Sequence, residues 1–368
     1  MTQNPHPRPL PNMPRFSLRA TEPGRVGPDR LADGLGTSRL CNQVIRGFSA
    51  IGLLLLIAGC QSAAPPATGR QAAINDYVDG MLAYQKGDKD KAMAALQQAV
   101  QEHGELVMPH AMLGDLYQSN KDYAQAADQY QKVVKLDPYA SENHYKLAMM
   151  YQMLNRLEDA VVSYLHAIKL NPQDFNSNLN LATVYLALGR PEDGLQYARK
   201  AVEINPKSAP AASNLGVLYD TLKMYKSAEE SYRKAMELDP NQAQTAFYLA
   251  ENLMKQGKYT DARSVMGQIV LREDSPRARK RFGDAMFMSR QYDDALVQYE
   301  NALKLDPRYY PAMNEEGWVL ITEYTQGLGL DEPKRENAID LWKRSIQVNP
   351  DQPKIAALLK QYGEKFAE

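Results

Sequence analysis

Cysteine and histidine are scarce in this chain, with two and five residues among 368. That is too few for a disulfide framework or a structural zinc cage. The sequence contains no His-Glu-x-x-His motif and no P-loop, and its histidines are scattered along the chain. Positive and negative side chains nearly cancel, with a net charge of −1, so nothing favours nucleic acid as a partner. We therefore predict a protein that is not an enzyme, with no catalytic residue, metal site or cofactor.

Long apolar runs are also missing, apart from residues 48–59, which read FSAIGLLLLIAG between Arg46 and Cys60. Twelve residues are too few to cross a hydrocarbon core of about 30 Å. They suit the apolar region of a secretory signal peptide, which we place at 44–59. The stretch from Ile57 to Cys60 resembles the lipobox of bacterial lipoproteins, and that resemblance implies acylation of Cys60 and removal of the peptide before it.

The flanks of this run lead to three further expectations. Residues 1–43 are rich in Arg, Pro and Gly, which predicts a disordered extension or a start site placed too early. Residues 60–72 form a flexible tether, since Pro65 and Pro66 argue against the alternative of Cys60 as a buried thiol in a core helix. By the same resemblance, Gln61 favours the outer over the inner membrane, with the folded part facing the periplasm.

A 34-residue period dominates the rest of the chain. Prolines recur with that spacing at 138, 172, 206 and 240, after segments such as Lys-Leu-Asp-Pro. Within each period, small and large residues alternate on the faces of two amphipathic helices, as with Ala148 in the first and Tyr164 in the second. This period and pattern resemble the tetratricopeptide repeat. The resemblance implies an all-α fold, a right-handed α-α superhelix of about eight helix-turn-helix repeats with a C-terminal capping helix.

The predicted array covers residues 73–352. Its eight units and the final cap are 73–106, 107–140, 141–174, 175–208, 209–242, 243–275, 276–309, 310–352, and the capping helix 353–368. Three of the units depart from the pattern. The first unit has Asp79 where leucine is expected. The sixth unit is one residue short near Arg272, which predicts a local kink. The eighth unit carries nine extra residues. We expect those nine in a loop at 325–333, marked by two glycines and a proline.

Glu316 occupies an apolar position in the eighth unit. We expect a slightly rotated helix that leaves its side chain at the surface. The alternative is a buried carboxylate, whose pKa would be raised unless Lys343 or Arg344 pairs with it.

Proteins of this kind bind an extended peptide or a partner helix along the face formed by the first helices of the units. The resemblance assigns that role to the second, fifth, sixth, ninth and twelfth places of each unit, which we call the groove positions. The candidate groove residues in this chain are Tyr145, Asn180, Asn214, Phe247, Tyr248, Lys280, Arg281 and Trp318. Asn180 and Asn214 occupy equivalent places, so they are candidates for gripping the backbone of a bound peptide.

One basic cluster runs from Arg272 to Arg281 and also contains Arg277, Arg279 and Lys280. A solvated face is the plain interpretation, and an acidic partner segment or a lipid head group is the alternative.

Together these features predict a monomeric scaffold that holds a protein or peptide and is anchored by a lipid in the bacterial envelope, where it helps to assemble or localise a complex. Two alternatives stay open. A cytosolic adaptor or co-chaperone follows if the lipobox is accidental, and an accessory subunit that recruits an envelope enzyme is the other. Neither the identity of the partner nor the envelope system can be derived from the sequence.

Overall fold

A computed structural model describes residues 69–327 and 329–363, and all regular structure in these ranges is α-helical. The predictions for 1–43, for the signal peptide 44–59, for Cys60 and for the tether up to residue 68 lie outside the described residues. The helices are α1 Gly69–Gln85, α2 Lys89–Glu102, α3 Val107–Ser119, α4 Tyr123–Leu136, α5 Ser141–Met153, α6 Leu157–Leu170, α7 Phe175–Ala187, α8 Pro191–Ile204, α9 Ala209–Thr221, α10 Tyr225–Leu238, α11 Ala243–Lys255, α12 Tyr259–Arg272, α13 Pro276–Met288, α14 Tyr292–Leu305, α15 Tyr310–Gln326, α16 Glu332–Val348 and α17 Pro353–Gly363.

These helices form eight consecutive pairs, one in each predicted unit, and α17 follows the last pair. The two helices of each pair pack on each other. The second helix of each pair packs on the helix that follows it in the chain, which for α16 is α17. The prediction of an all-α solenoid of eight repeats with a capping helix is confirmed.

A three-residue turn joins the two helices in each of the first seven pairs. Its middle residue has a positive φ in every case, at Gly87, Lys121, Asn155, Gly189, Lys223, Gly257 and Arg290. The residue after it donates its backbone N–H to a carbonyl five residues earlier, as Asp88 does to Ala83 at 3.0 Å. This is the usual hydrogen bond of a helix that ends in the left-handed conformation. The turn reverses the chain and brings the two helices of a pair together.

The two helices of a pair approach closely where a small residue faces a large one. A Cβ atom added to Gly216 in α9 would lie 2.6 Å from ring carbons of Tyr232 in α10. Gly114 stands in the same relation to Tyr130, and Gly283 to Tyr299. All three tyrosines are at most 1% exposed. The ring therefore fills the space that a side chain on the first helix would otherwise occupy.

The tenth place of each unit shows how the units stack. It is buried from the second unit to the eighth, in Leu116, Met150, Val184, Leu218, Asn252, Ala285 and Val319. In the first unit this place is Leu82, which is 45% exposed because no described unit precedes it. Asp79, the departure noted in the sequence, is exposed at the same end of the array. The carboxylate of Asp79 therefore remains in contact with water.

Two predicted boundaries differ from the structure. Helix α1 begins at Gly69, so the last residues of the predicted tether 60–72 are helical, and no proline after Pro66 prevents this. The expected loop at 325–333 is also wrong in extent. The extra residues mostly lengthen α15 and α16 to 17 residues each, and the loop is confined to 327–331. Pro333 lies in the first turn of α16, where a proline ring fits.

The junction after the sixth unit is three residues long, between Arg272 and Pro276, and the other junctions between units have four. Ser275 caps α13, since its hydroxyl accepts a hydrogen bond from the N–H of Ala278. The kink that we expect here stays a prediction.

At the other end of the array, α17 covers the eighth unit. Ile355, Leu358, Leu359 and Tyr362 pack on a cluster that contains the fully buried Trp342.

Candidate partner-binding groove

The groove positions form one accessible row along the first helices. At the ninth place, Met149, Thr183 and Val217 are half-buried, and Asp115 and Trp318 are exposed. The eighth and tenth places on either side are buried from the second unit to the eighth. The solenoid therefore presents the side chain at the ninth place of each unit on the same face.

Tyr145 and Asn180 lie beside each other on this row, one in the third unit and one in the fourth. Both are half-buried. Burial and the carboxylate of Asp174 raise the pKa of Tyr145, and a hydrogen bond with Asn180 partly offsets this rise. The ring of Tyr145 also contacts Tyr164 at 6.0 Å between centroids. The structure therefore brings these two predicted residues together as a polar and aromatic part of the groove.

Asn214 has a different role from the one predicted. Its side-chain amide donates to the backbone carbonyl of Leu179 at 3.3 Å and to the hydroxyl of Thr183 at 2.9 Å. An asparagine amide has two N–H groups, so both donors are used inside the array. The side chain is also buried. Asn214 is thus a link between the fourth and fifth units, and its prediction as a donor to bound peptide is wrong.

Phe247 and Tyr248 are adjacent in α11 but differ in access. Phe247 is buried, and the guanidinium of Arg277 covers its ring at 4.5 Å. Tyr248 is half-buried and stacks on Tyr232 at 5.9 Å. Burial raises the pKa of Tyr248, so its hydroxyl stays protonated. Only Tyr248 of this pair offers a polar group to a partner, and the placement of Phe247 on the binding surface is wrong.

The basic cluster is bonded within the array. Arg272 donates to the carbonyl of Pro240 at 2.6 Å. Arg279 makes a two-pronged contact with Asp274 at 2.7 and 2.9 Å. Since Arg277 covers Phe247, each of these three cations already has a partner. Arg272 thus links the sixth unit to the fifth, and Arg277 and Arg279 link the seventh unit to the sixth.

Lys280 and Arg281, the remaining cations of the cluster, face carboxylates. The Lys280 ammonium lies 2.9 Å from Asp284 and 3.1 Å from Glu315 in the next unit. Burial opposes the charge on Lys280, but these two carboxylates more than compensate and raise its pKa. Arg281 lies 3.7 Å from Glu251 in the preceding unit. Ion pairs thus bridge the sixth, seventh and eighth units along the groove.

Buried tyrosines at the twenty-fourth place support the groove from below. Tyr299 donates its hydroxyl to Asp284 at 3.0 Å, and Tyr130 donates to Asp115 at 2.5 Å. Burial, followed by these carboxylates, raises the pKa of both tyrosines, which keeps their hydroxyls available as donors. The carboxylates of the ninth place are therefore oriented from the core.

Trp318 is 41% exposed and lies at the C-terminal end of the row. It lines a cavity of about 630 Å³ together with Ile355 and Leu358 of α17 and the polar side chain of Asn314. Trp318 was predicted as a groove residue because it occupies the ninth place of the eighth unit. The contribution of the capping helix to this cavity could not be derived from the repeat pattern.

Two histidines have structural partners. His110 and His144 both occupy the fourth place of their units, and both are buried. Each has its Nε2 atom 3.0 Å from a backbone carbonyl six residues earlier, at Gly104 and Pro138. Asn178 contacts Pro172 in the same way at 3.4 Å. These side chains tie each first helix to the junction before it, a role that the sequence analysis missed.

Glu316 is not the surface residue that we expect from the sequence. Its Oε2 atom is buried and has no hydrogen-bond partner among the described residues. Burial and the nearby Glu300 raise the pKa of Glu316 to about 7, and Arg344 acts in the opposite direction. The alternative of a buried carboxyl with a raised pKa is therefore correct, since Arg344 forms its salt bridge with Asp340 and not with Glu316.

In the described ranges, no group of three or more His, Cys, Asp or Glu side chains is arranged to hold a metal ion. None of the helices in those ranges is both long and apolar enough to span a bilayer.

The sequence matches three family profiles. Residues 80–105 and 111–175 each match a tetratricopeptide repeat family, and residues 152–281 match the C-terminal ARM domain of tetratricopeptide repeat protein 21. No curated protein sequence matches the chain.

Among the solved structures that resemble this chain are the following three. YrrB, described as a TPR protein with an unusual peptide-binding site, is 24% identical, with a TM-score of 0.41 over 54% of this chain and 97% of YrrB. A tetratricopeptide repeat protein from Parabacteroides merdae is 17% identical, with a TM-score of 0.48 over 80% of this chain and 99% of its own. PilF of Pseudomonas aeruginosa is 19% identical, with a TM-score of 0.45 over 55% of this chain and 92% of its own.

Stacked helix pairs with a small residue facing a large ring define a helical repeat solenoid. With the family matches from residue 80 to residue 281, this chain is a tetratricopeptide repeat protein. Proteins of this class are in general non-catalytic scaffolds that bind other proteins.

Proposed function

We propose that this protein is a lipid-anchored scaffold of the bacterial envelope that holds a partner protein along its groove and so assembles or localises a complex. The observation that carries the binding part is the row of ninth-place side chains. It stays accessible along successive units while the places on either side are buried. Support for the anchor comes from the sequence alone, in the lipobox-like segment that ends at Cys60.

The groove offers different chemistry along its length. In the fourth unit all five groove positions are uncharged, namely Asn176, Leu179, Asn180, Thr183 and Leu186. We call this the middle of the groove. The part around Lys280 carries charges that are paired within the array. A partner segment therefore gains little from charge near Lys280, because paired ions must first be separated. We expect the middle and N-terminal parts to provide most of the binding energy.

The anchor is tested by metabolic labelling with a radioactive fatty acid. The full chain should incorporate label and fractionate with outer membranes, and a Cys60→Ser variant should lose both properties. Cys41 is the other cysteine, so Cys41→Ser is the matched control and should keep them. Equal labelling of the two variants, or no labelling of the unaltered chain, would rule out the anchor and favour the cytosolic adaptor.

Binding in the groove is tested separately by cross-linking cells and purifying the protein. Replacing Asn180 by Asp should reduce the captured partner about tenfold, because a charge would be placed in the uncharged middle of the groove with no change of side-chain shape. Glu158→Lys on the second helix α6 is a control for changed surface charge. If both variants capture the partner as well as the unaltered chain does, the groove is not the binding site.

A further inference from the structure

The second and third units differ in what surrounds the histidine at their fourth place. His110 and His144 each have Nε2 3.0 Å from a backbone carbonyl. In the second unit, Gln129 also contacts the other ring nitrogen of His110, with its Oε1 atom 2.7 Å from Nδ1. The place of Gln129, the twenty-third, is held by Ser163 in the third unit. The shorter side chain of Ser163 forms no hydrogen bond with His144 within the described part of the chain.

The ring of His144 therefore has one nitrogen that is not bonded within the array. A carbonyl oxygen only accepts hydrogen bonds, so the Nε2 atom that contacts Pro138 carries the proton. In the neutral imidazole, Nδ1 then holds a lone pair. Nδ1 has no hydrogen-bond partner among the described residues, yet it is not one of the fully buried polar atoms that lack a partner there. Solvent therefore reaches this lone pair.

A second imidazole lies beside that of His144. The ring of His166, on the facing helix α6, has its centroid 5.3 Å from the centroid of His144, and the two planes are 87° apart. His166 is exposed, so its ring can turn a nitrogen toward its neighbour. The third unit is the only one with histidine at both the fourth and the twenty-sixth place. Lysine occupies the twenty-sixth place in three other units, at Lys132, Lys200 and Lys234.

The spacing of the two rings fits a shared metal ion. In a tetrahedral site each imidazole nitrogen lies about 2.0–2.1 Å from the ion, and the ring centre lies about 1.2 Å farther out. Two such rings at the tetrahedral angle have centroids about 5.2 Å apart. The observed separation of 5.3 Å agrees with this value. Rotation about each metal–nitrogen bond leaves the angle between the ring planes free, so the 87° angle is compatible as well.

We propose that His144 and His166 bind a divalent transition metal ion, Zn²⁺ or Cu²⁺, between α5 and α6. Imidazole nitrogen is a favoured ligand of both ions. The contact of His144 with Pro138 fits this role, because a histidine that binds a metal usually donates its other ring N–H to a carbonyl or carboxylate. Water fills the remaining coordination positions. Such an open site needs only two protein ligands, unlike the structural zinc cage that the composition excludes.

The test is calorimetric titration of the full chain, purified without a histidine tag and with both cysteines replaced by serine, with ZnCl₂ and separately with CuCl₂. His144→Asn and His166→Lys should each lower the affinity about tenfold or more. Both replacements suit the fold, because Asn178 makes the same contact with its junction in the fourth unit and lysine is common at the other place. The matched control is His110→Asn, which should leave the affinity within twofold.

Bound Cu²⁺ also reports directly on its ligands. Its electron paramagnetic resonance spectrum should show coupling to two imidazole nitrogens in the unaltered chain and in His110→Asn. The coupling to two nitrogens should be lost in His144→Asn and in His166→Lys. Circular dichroism melting of the same samples checks that each variant is folded.

The comparison of the two units supplies a further test, in which both histidines stay in place. Ser163→Gln should lower the affinity about tenfold, because its amide would occupy Nδ1 of His144 as Gln129 occupies Nδ1 of His110. In the opposite direction, Gln129→Ser combined with Lys132→His gives the second unit the same three side chains. This double variant should bind one more ion per chain than the unaltered protein does.

Several results would overturn the proposal. These are no binding of either ion by the unaltered chain, an affinity that His144→Asn and His166→Lys leave unchanged, an equal loss in His110→Asn, or a Cu²⁺ spectrum with coupling to fewer than two nitrogens. The fourth and twenty-sixth places are not groove positions, so none of these results bears on the scaffold function.

Discussion

Replacement of Gly216 by alanine should destabilise the array, although alanine is the better helix former. The added Cβ would lie 2.6 Å from Cδ1 and Cε1 of the Tyr232 ring. That ring is 1% exposed and stacks on Tyr248, so it has little room to move. Overpacking of this kind costs about 1–3 kcal/mol, and the gain in helix propensity returns about 1 kcal/mol. The expected net loss is therefore up to about 2 kcal/mol.

Gly267 provides the matched control, since it also lies within a helix, α12. A Cβ there would meet Phe282 at 3.4 Å, an ordinary contact distance. Gly267→Ala should therefore gain up to about 1 kcal/mol. Urea unfolding followed by circular dichroism measures both variants. A Tyr232→Leu change should cost less in the Gly216→Ala background than alone, because it relieves the clash.

Equal stability of Gly216→Ala and Gly267→Ala would refute this account of packing, since only the ring contact distinguishes the two sites.

Three further predictions concern stability. The folded state keeps the Glu316 proton from its ordinary pKa of 4.5 up to about 7, so stability falls as pH rises through this range. In urea titrations at pH 8, Glu316→Gln should therefore be more stable than the unaltered chain by about 2 kcal/mol, a figure reduced to allow for solvent access to the carboxyl. At pH 4 the two should be equally stable. Lys223→Gly should raise the unfolding free energy by about 1 kcal/mol, because Lys223 has a φ of 60°, and Lys226→Gly inside α10 should lower it by about 1 kcal/mol. Asn214→Ala should cost about 1–3 kcal/mol by calorimetry, since two donors to the preceding unit are lost; an unchanged melting temperature would contradict the linking role.

The repeat fold could be predicted because packing between the two helices of a pair requires small and large residues at fixed places, and these places are close together in the sequence. Ala148 and Tyr164 mark one such contact, and the period of 34 residues repeats it. The same pattern predicted α17, since Ile355, Leu358 and Tyr362 have helical spacing.

The insert in the eighth unit was predicted with too long a loop. Gly327 and Gly329 indicate a turn, but they do not show how far the flanking helices extend. Helix length depends on the packing of Tyr324 and Trp342 against the cap, which is a contact distant in sequence.

The sequence predicted which places of the repeat units form the groove, but not which of the side chains at those places are accessible. Tyr145, Asn180, Tyr248 and Trp318 do lie accessible on the face of the first helices. A side chain at a groove position is not accessible where it hydrogen-bonds to a neighbouring unit, as Asn214 does. Such contacts depend on the stacking of units, which a single repeat does not encode.

The measurement that tests the central claim most directly is a photo-crosslinking scan of the ninth places in cells. Benzophenone probes at Met149, Thr183 and Val217 report on the groove, and probes at the exposed Val162 and Val297 report on second helices. The scaffold account predicts adducts to the same partner protein from the three groove probes and none from the two others. Adducts from the second helices alone, or equal yields at all five positions, would contradict it.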